Sequence, residues 1–203
     1  MARTEASDYL LLALPWPLFY VVFNLALEWL VLAMSLAAST LAAFALALKP
    51  SLRSRLPPSR GWLLAWPLGA LALYFVFIAG GAFSVAVGMW WQVLRVYSSL
   101  TRTPVELAAV FVVGLAEEVF WRGYLQEDLI VSRLGRPWWL SAIPYSLVHL
   151  VSGLPLLILA AAPVGLVTGL LARKWGVACS AAAHIAWLYL VLYIAPVPAI
   201  LGA

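Results

Sequence analysis

The sequence predicts an all-α fold, a polytopic transmembrane bundle of seven or eight membrane helices, on three observations. Of 203 residues, 66% are hydrophobic and only 10% charged, far from the balance of a soluble globular domain. The apolar runs are long and do not alternate with polar residues, which excludes a membrane barrel and leaves the helix as the way to satisfy every backbone N–H and C=O in a bilayer. The basic residues sit in short connectors between those runs rather than along one exposed face.

The elements follow in order. Residues 9–48 are long enough for two spans at about 20 residues each, with a turn expected near Glu28. Residues 49–60 combine Lys49, Arg53, Arg55 and Arg60 with Pro50, Pro57 and Pro58. This connector cannot continue a helix, and the positive-inside rule puts it on the cytoplasmic side of a cell membrane. A span over 61–80 is expected to end at Gly80 and Gly81, and a shorter apolar piece with Met89, Trp90 and Trp91 runs to Arg95. If that piece lies in the interface or re-enters, Arg133, Arg136, Arg173 and Lys174 share the side of the first basic loop, while Arg95 and Arg102 face the other way. That arrangement obeys the charge bias best.

The clearest helix start is Thr103-Pro104-Val105-Glu106: Thr103 can cap, proline takes the first helical position and Glu106 completes a capping box. The helix should run to about Leu129. Spans over 138–152, 156–172 and 177–195 follow, separated by Gly153-Leu154-Pro155 and by Arg173-Lys174-Trp175-Gly176. The total is seven, or eight if the short piece crosses. Gly165 and Gly169, and the small residues from Ala178 to Ala183, permit close helix approach. With no internal repeat or linker, residues 1–203 read as a single transmembrane domain.

The formal net charge of +4 is a matter of topology, so membrane lipids and no nucleic acid are expected as partners. Cys179 stands alone and packs as a small residue. Arg3, Glu5 and Asp8 precede an apolar run too long for a signal-peptide core, so the N-terminus is expected to stay uncleaved.

Six ionisable residues lie deep in apolar sequence: Glu28, Glu117, Glu118, Arg122, His149 and His184. Each is costly there, so each should face the bundle interior and either pair or work. Glu118 and Arg122 are four apart in the favourable order for an ion pair, which is first of all a structural reading. Glu117 points about 100° away and has Trp121 at its own fourth position. A carboxylate left without a cation in a poorly solvated site suits a general base. His149 follows Tyr145 by four residues, and His184 follows the small-residue run. One free carboxylate and two imidazoles from three helices are a constellation for deprotonating water and stabilising an oxyanion. The same three side chains, Glu117, His149 and His184, are alternatively a zinc set with an open position, although HExxH is absent. Deep Glu and His also mark proton-coupled transporters, whose repeated Gly/Pro-broken spans are not found here. Glu28, with Asn24 four residues before it, reads as a structural polar contact.

The ordered set Glu117-Glu118-Val119-Phe120-Trp121-Arg122, then Tyr145-Ser146-Leu147-Val148-His149, then His184 resembles the CAAX protease and bacteriocin-processing family of membrane proteins, also called Abi, over about 104–190. The resemblance implies a metal-free intramembrane endopeptidase without a cofactor. In it Glu117 and His149 activate water, Glu118 and Arg122 orient the site, and His184 serves the oxyanion hole. The family's last motif is usually His-x-x-x-Asn, and Leu188 occupies the asparagine position here. Leucine donates no hydrogen bond, and losing one oxyanion donor typically lowers turnover by about 10² to 10³. Trp187 and Tyr189, the nearest polar side chains in sequence, each point about 100° away from position 188, and Tyr145 is a further candidate donor. The resemblance further implies a peptide or lipidated protein as substrate, prenylated in the eukaryotic members, and a binding or immunity role in members without activity.

Overall fold

The computed structural model describes residues 5–202, which are helical with no strand among them; Arg3 lies outside the described residues. Two short helices, α1 (Ala6–Ala13) and α2 (Pro15–Tyr20), run on through a π-helical turn Val21–Leu25, making one rod Ala6–Leu25. The rod breaks at Ala26 and a 3-10 turn Leu27–Trp29 contains Glu28, so the turn falls where the sequence put it. Asn24 closes the break by donating its side-chain amide to Val151 O at 2.8 Å. Then come α3 (Leu30–Leu48), a 3-10 segment Pro50–Arg55 and α4 (Trp62–Ala86).

Helix α4 runs through Gly80 and Gly81 rather than ending there. Neither residue has positive φ, and glycine inside a helix costs only about 1 kcal/mol. Gly81 works instead as a contact: a Cβ there would sit 2.5 Å from Val197 Cγ1. The ambiguous apolar piece is α5 (Trp90–Ser98), nine residues, too short to cross a hydrocarbon core of about 30 Å.

Helix α6 (Pro104–Glu118) starts as expected, with Thr103 Oγ1 accepting from Glu106 N at 3.2 Å. The Glu106 carboxylate reaches further back than a capping box requires, accepting from Thr101 N at 2.7 Å and from the hydroxyls of Thr101 and Tyr193. From Val119 the helix widens into a π-helical run to Arg133. Residues 138–152 are not one continuous α-helix but three short helical pieces in succession: 3-10 Trp138–Ser141, α7 (Ala142–Leu147) and 3-10 Val148–Ser152. Helices α8 (Pro155–Trp175) and α9 (Val177–Tyr189, extended by a π turn Leu190–Ile194) follow, then α10 (Val197–Leu201).

Among the described residues, five helices are long and apolar enough to cross a membrane: Ala6–Leu25, Leu27–Leu48, Trp62–Ala86, Pro155–Trp175 and Val177–Ile194. The surface inverts the soluble pattern. Leu64 and Leu36 are 78% and 72% exposed while Glu118 and Arg122 are fully buried, as expected when the surroundings are hydrocarbon. Helix α9 sits centrally, packed on α4, α6 and α8, and α7 lies on α8. Small residues make these approaches possible: a Cβ on Gly165 would lie 2.9 Å from Ala142 Cβ and 3.2 Å from the Tyr145 ring, and one on Gly114 would lie 3.1 Å from the Ile185 backbone.

The basic connectors gather at one end, tied by ion pairs. Buried Asp8 accepts from Arg133 Nη1 and Nη2 at 2.6 and 2.7 Å and pairs with Lys49 at 3.1 Å. Asp128 pairs with Arg133 at 3.0 Å and Arg55 at 3.7 Å, and Glu127 with Arg173 at 3.1 Å. At the chain's start, Lys49 holds the exposed Glu5 carboxyl below the usual carboxylate range. Arg133, Arg173 and the 49–60 connector are therefore neighbours, as an α5 that does not span requires.

Candidate active site

The α-to-π transition of the 104–133 helix falls immediately after Glu117 and Glu118. A π segment inserts residues into the helical register, and such segments are frequent at functional sites. Here the two adjacent carboxylates part towards different neighbours. Glu117 Oε2 accepts from the Tyr145 hydroxyl at 3.1 Å, on α7. Glu118 Oε1 meets His184 Nδ1 at 2.9 Å, on α9, and its Oε2 lies 3.5 Å from Arg122 Nε. The i,i+4 pair anticipated from spacing is thus present, but the closer partner of Glu118 is His184. Arg122 is held from two further sides: its Nε donates to Thr168 Oγ1 at 2.8 Å and its guanidinium lies over the Tyr145 ring, 4.7 Å from the centroid.

The histidines are both anchored at Nδ1. His149 Nδ1 lies 2.9 Å from Tyr145 O, and since a carbonyl only accepts, that nitrogen carries the hydrogen and Nε2 is left to accept. The ring is boxed edge-on by Phe19 (5.3 Å between centroids) and by Phe23 and Tyr145. His184 gives Nδ1 to Glu118 in the same way, and its Nε2 lies 3.9 Å from Glu117 Oε2. Glu117, Tyr145, His149, His184 and Leu188 all line one cavity of about 350 Å³, whose remaining wall is mostly apolar side chains of α3, α4, α5, α6, α8 and α9.

Of the five residues singled out from sequence, Glu117, His149 and His184 share the cavity wall, while Glu118 and Arg122 stand behind it, bonded to His184 and to each other. Among the described residues no three His, Cys, Asp or Glu side chains are grouped as metal ligands. Tyr145 is the residue whose part was underestimated. Its hydroxyl bonds Glu117, its carbonyl bonds His149 and its ring carries Arg122, so one side chain registers three others. Thr168 was missed; its signal was that of a single polar side chain between Leu156 and Ala172 in an otherwise apolar helix. Cys179 is a buried free thiol beside Trp62 O, away from the cavity.

Neither a curated protein nor a solved structure matches the chain. A family model does: residues 98–190, just under half of the sequence, match Rce1-like, described as type II CAAX prenyl endopeptidase Rce1-like. That segment begins at the approach to α6 and ends past α9, so it contains Glu117, Glu118, Arg122, Tyr145, His149, Thr168 and His184. Over residues 98–190, the chain is therefore similar to the CAAX prenyl endopeptidases of that family.

Proposed function

We propose that this protein is a glutamate-dependent intramembrane endopeptidase, a single transmembrane domain whose machinery lies within 104–190. The observation that carries the reading is the convergence of Glu117, His149 and His184 on one cavity, with Glu118 engaged by His184 and Arg122 and so unavailable as base. In this mechanism the Glu117 carboxylate takes a proton from water that His149 Nε2 orients, and the water oxygen bonds to the scissile carbonyl carbon. The C=O electron pair moves onto oxygen, which accepts a hydrogen bond from Nε2 of His184 in its imidazolium form, the Nδ1–H being held by Glu118. On collapse the C–N bond breaks and the leaving amine takes the proton from Glu117. Glu118 and Arg122 act by positioning His184.

The substrate is a membrane-associated peptide or lipidated protein. The apolar wall of the cavity, with Val76, Phe77 and Phe83 of α4, supports a lipid-linked, prenylated chain entering from the bilayer. In the bundle, the 104–133 helix and the 138–152 segment complete five spans to seven, with α5 in the interface of a cell membrane and the basic end cytoplasmic. A binding or immunity role is the second reading, favoured by Leu188 in the cavity wall at the family's asparagine position.

Cleavage of quenched fluorescent peptides, including farnesylated C-terminal sequences, decides between them. Wild type in nanodiscs should turn over, and Glu117→Gln should lose about 10²- to 10⁴-fold, the usual worth of a general base. Folded wild type that cleaves nothing would sink the protease reading in favour of binding. The proposed reaction is metal-free, so activity should persist under chelation; loss to chelator with restoration by zinc alone would reverse that part.

A further inference from the structure

We propose that the indole N–H of Trp187 is the second hydrogen-bond donor to the oxyanion formed during peptide hydrolysis, taking the place that Leu188 cannot fill. The proposal rests on the protease reading. Trp187 is buried on α9, and its Nε1 has no acceptor among the described residues. A buried donor left unpaired costs about 1–3 kcal/mol, a cost that a packed helix bundle ordinarily avoids. Two other buried indole nitrogens, those of half-buried Trp90 and buried Trp121, also lack acceptors, but neither residue lines the cavity. Trp187 does, together with Glu117, His149 and His184.

Its setting is that of a placed group. The ring lies three residues after His184 on the same helix, with centroids 5.5 Å apart, so the imidazole and the indole face the cavity side by side. Phe77 of α4 packs across it at 4.6 Å between centroids, which holds the indole in one orientation. Leu188, the next residue, lines the cavity too: His184, Trp187, Leu188, Val191 and Leu192 form the i, i+3, i+4, i+7, i+8 stripe of one broad helix face. Trp187 thus lines the cavity while standing about 100° from Leu188, as the sequence spacing implies. When water adds to the carbonyl, the negative charge arriving on oxygen is a strong acceptor, and the Trp187 N–H, for which no described protein group is an acceptor, is free to donate to it. A hydrogen bond that strengthens as that charge develops accelerates the reaction.

The test compares wild type, Trp187→Phe and protein carrying 3-benzothienylalanine at 187, which keeps the indole's shape and exchanges N–H for sulfur, so that folding is preserved if phenylalanine is not tolerated. Both changes should lower kcat about 10²-fold with KM little altered. Both should weaken a peptide phosphinate, a tetrahedral mimic, by a similar factor while leaving product-peptide binding unchanged. Trp90→Phe, an unpaired indole outside the cavity, should leave kcat as it is. If benzothienylalanine at 187 retains wild-type kcat and phosphinate affinity, the proposal is overturned while the protease reading stands. If the wild type cleaves nothing, both fall together.

Discussion

At the scale of single residues the site divides into groups that face the cavity and groups that hold them. Glu118 and Arg122 belong to the second kind and are fully buried, so removing either strips the other of its ionic partner in a low-dielectric interior. Glu118→Ala and Arg122→Ala should each cost about 3–5 kcal/mol, seen as a lower unfolding temperature in detergent as well as lost turnover. Wild-type stability in both variants would refute the pairing. Tyr145→Phe is milder, keeping the ring under Arg122 and the carbonyl on His149 while deleting the donor to Glu117. A hydrogen bond to a carboxylate is worth about 1.5–3 kcal/mol, so turnover should fall roughly 10- to 100-fold with the protein still folded. Steady-state kinetics beside a melting curve would check it; an undiminished kcat would mean that Glu117 needs no such partner.

At the scale of elements, the site depends on how closely helices approach. Gly165 on α8 faces Ala142 and Tyr145 on α7, with no room for a side chain at 2.9 Å from Ala142 Cβ and 3.1 Å from its Cα. Gly165→Leu should therefore push α7 away, cost about 1–3 kcal/mol by overpacking and displace Tyr145 from Glu117. The expected outcome is a greater loss of activity than the drop in stability accounts for, read from kcat at a temperature where the variant stays folded. A variant that loses neither would show that α7 has slack. The α-to-π change after Glu118 works at the same scale. It occurs at the motif itself, and it accompanies one carboxylate turning to α7 while its neighbour reaches α9.

At the scale of the whole molecule, charge sets orientation. Lys49, Arg55, Arg133 and Arg173 are bound at one end through Glu5, Asp8, Asp128 and Glu127, and Arg95 and Arg102 lie near the opposite ends of α4 and α6. Cysteines introduced at Ser54 and Arg136 should react with a membrane-impermeant maleimide from one side of sealed vesicles, and one at Ser99 from the other. Labelling of Ser54 and Arg136 from opposite sides would overturn this topology and require α5 to span. The cavity is lined from α3, α4, α5, α6, α8 and α9, so its shape depends on the packing of the bundle as a unit.

Composition and order alone determined that the chain is a helical membrane bundle, because 66% hydrophobic residues in unbroken runs leave few other ways to satisfy a backbone in lipid. The turn at Glu28, the Thr103 cap and the residues Glu117, Glu118, Arg122, His149 and His184 were legible for the same reason: charge and capping chemistry stand out against an apolar background. Local periodicity does not encode what lies across a helix interface. Only the tertiary structure decided that Glu118 bonds His184 more closely than Arg122, that Tyr145 joins Glu117 to His149, and that Trp187 faces the cavity beside His184. It also carried α4 through Gly80 and Gly81 and broke 138–152 into three pieces, since packing against Val197 and against α8 outweighs the weak local preferences of those segments.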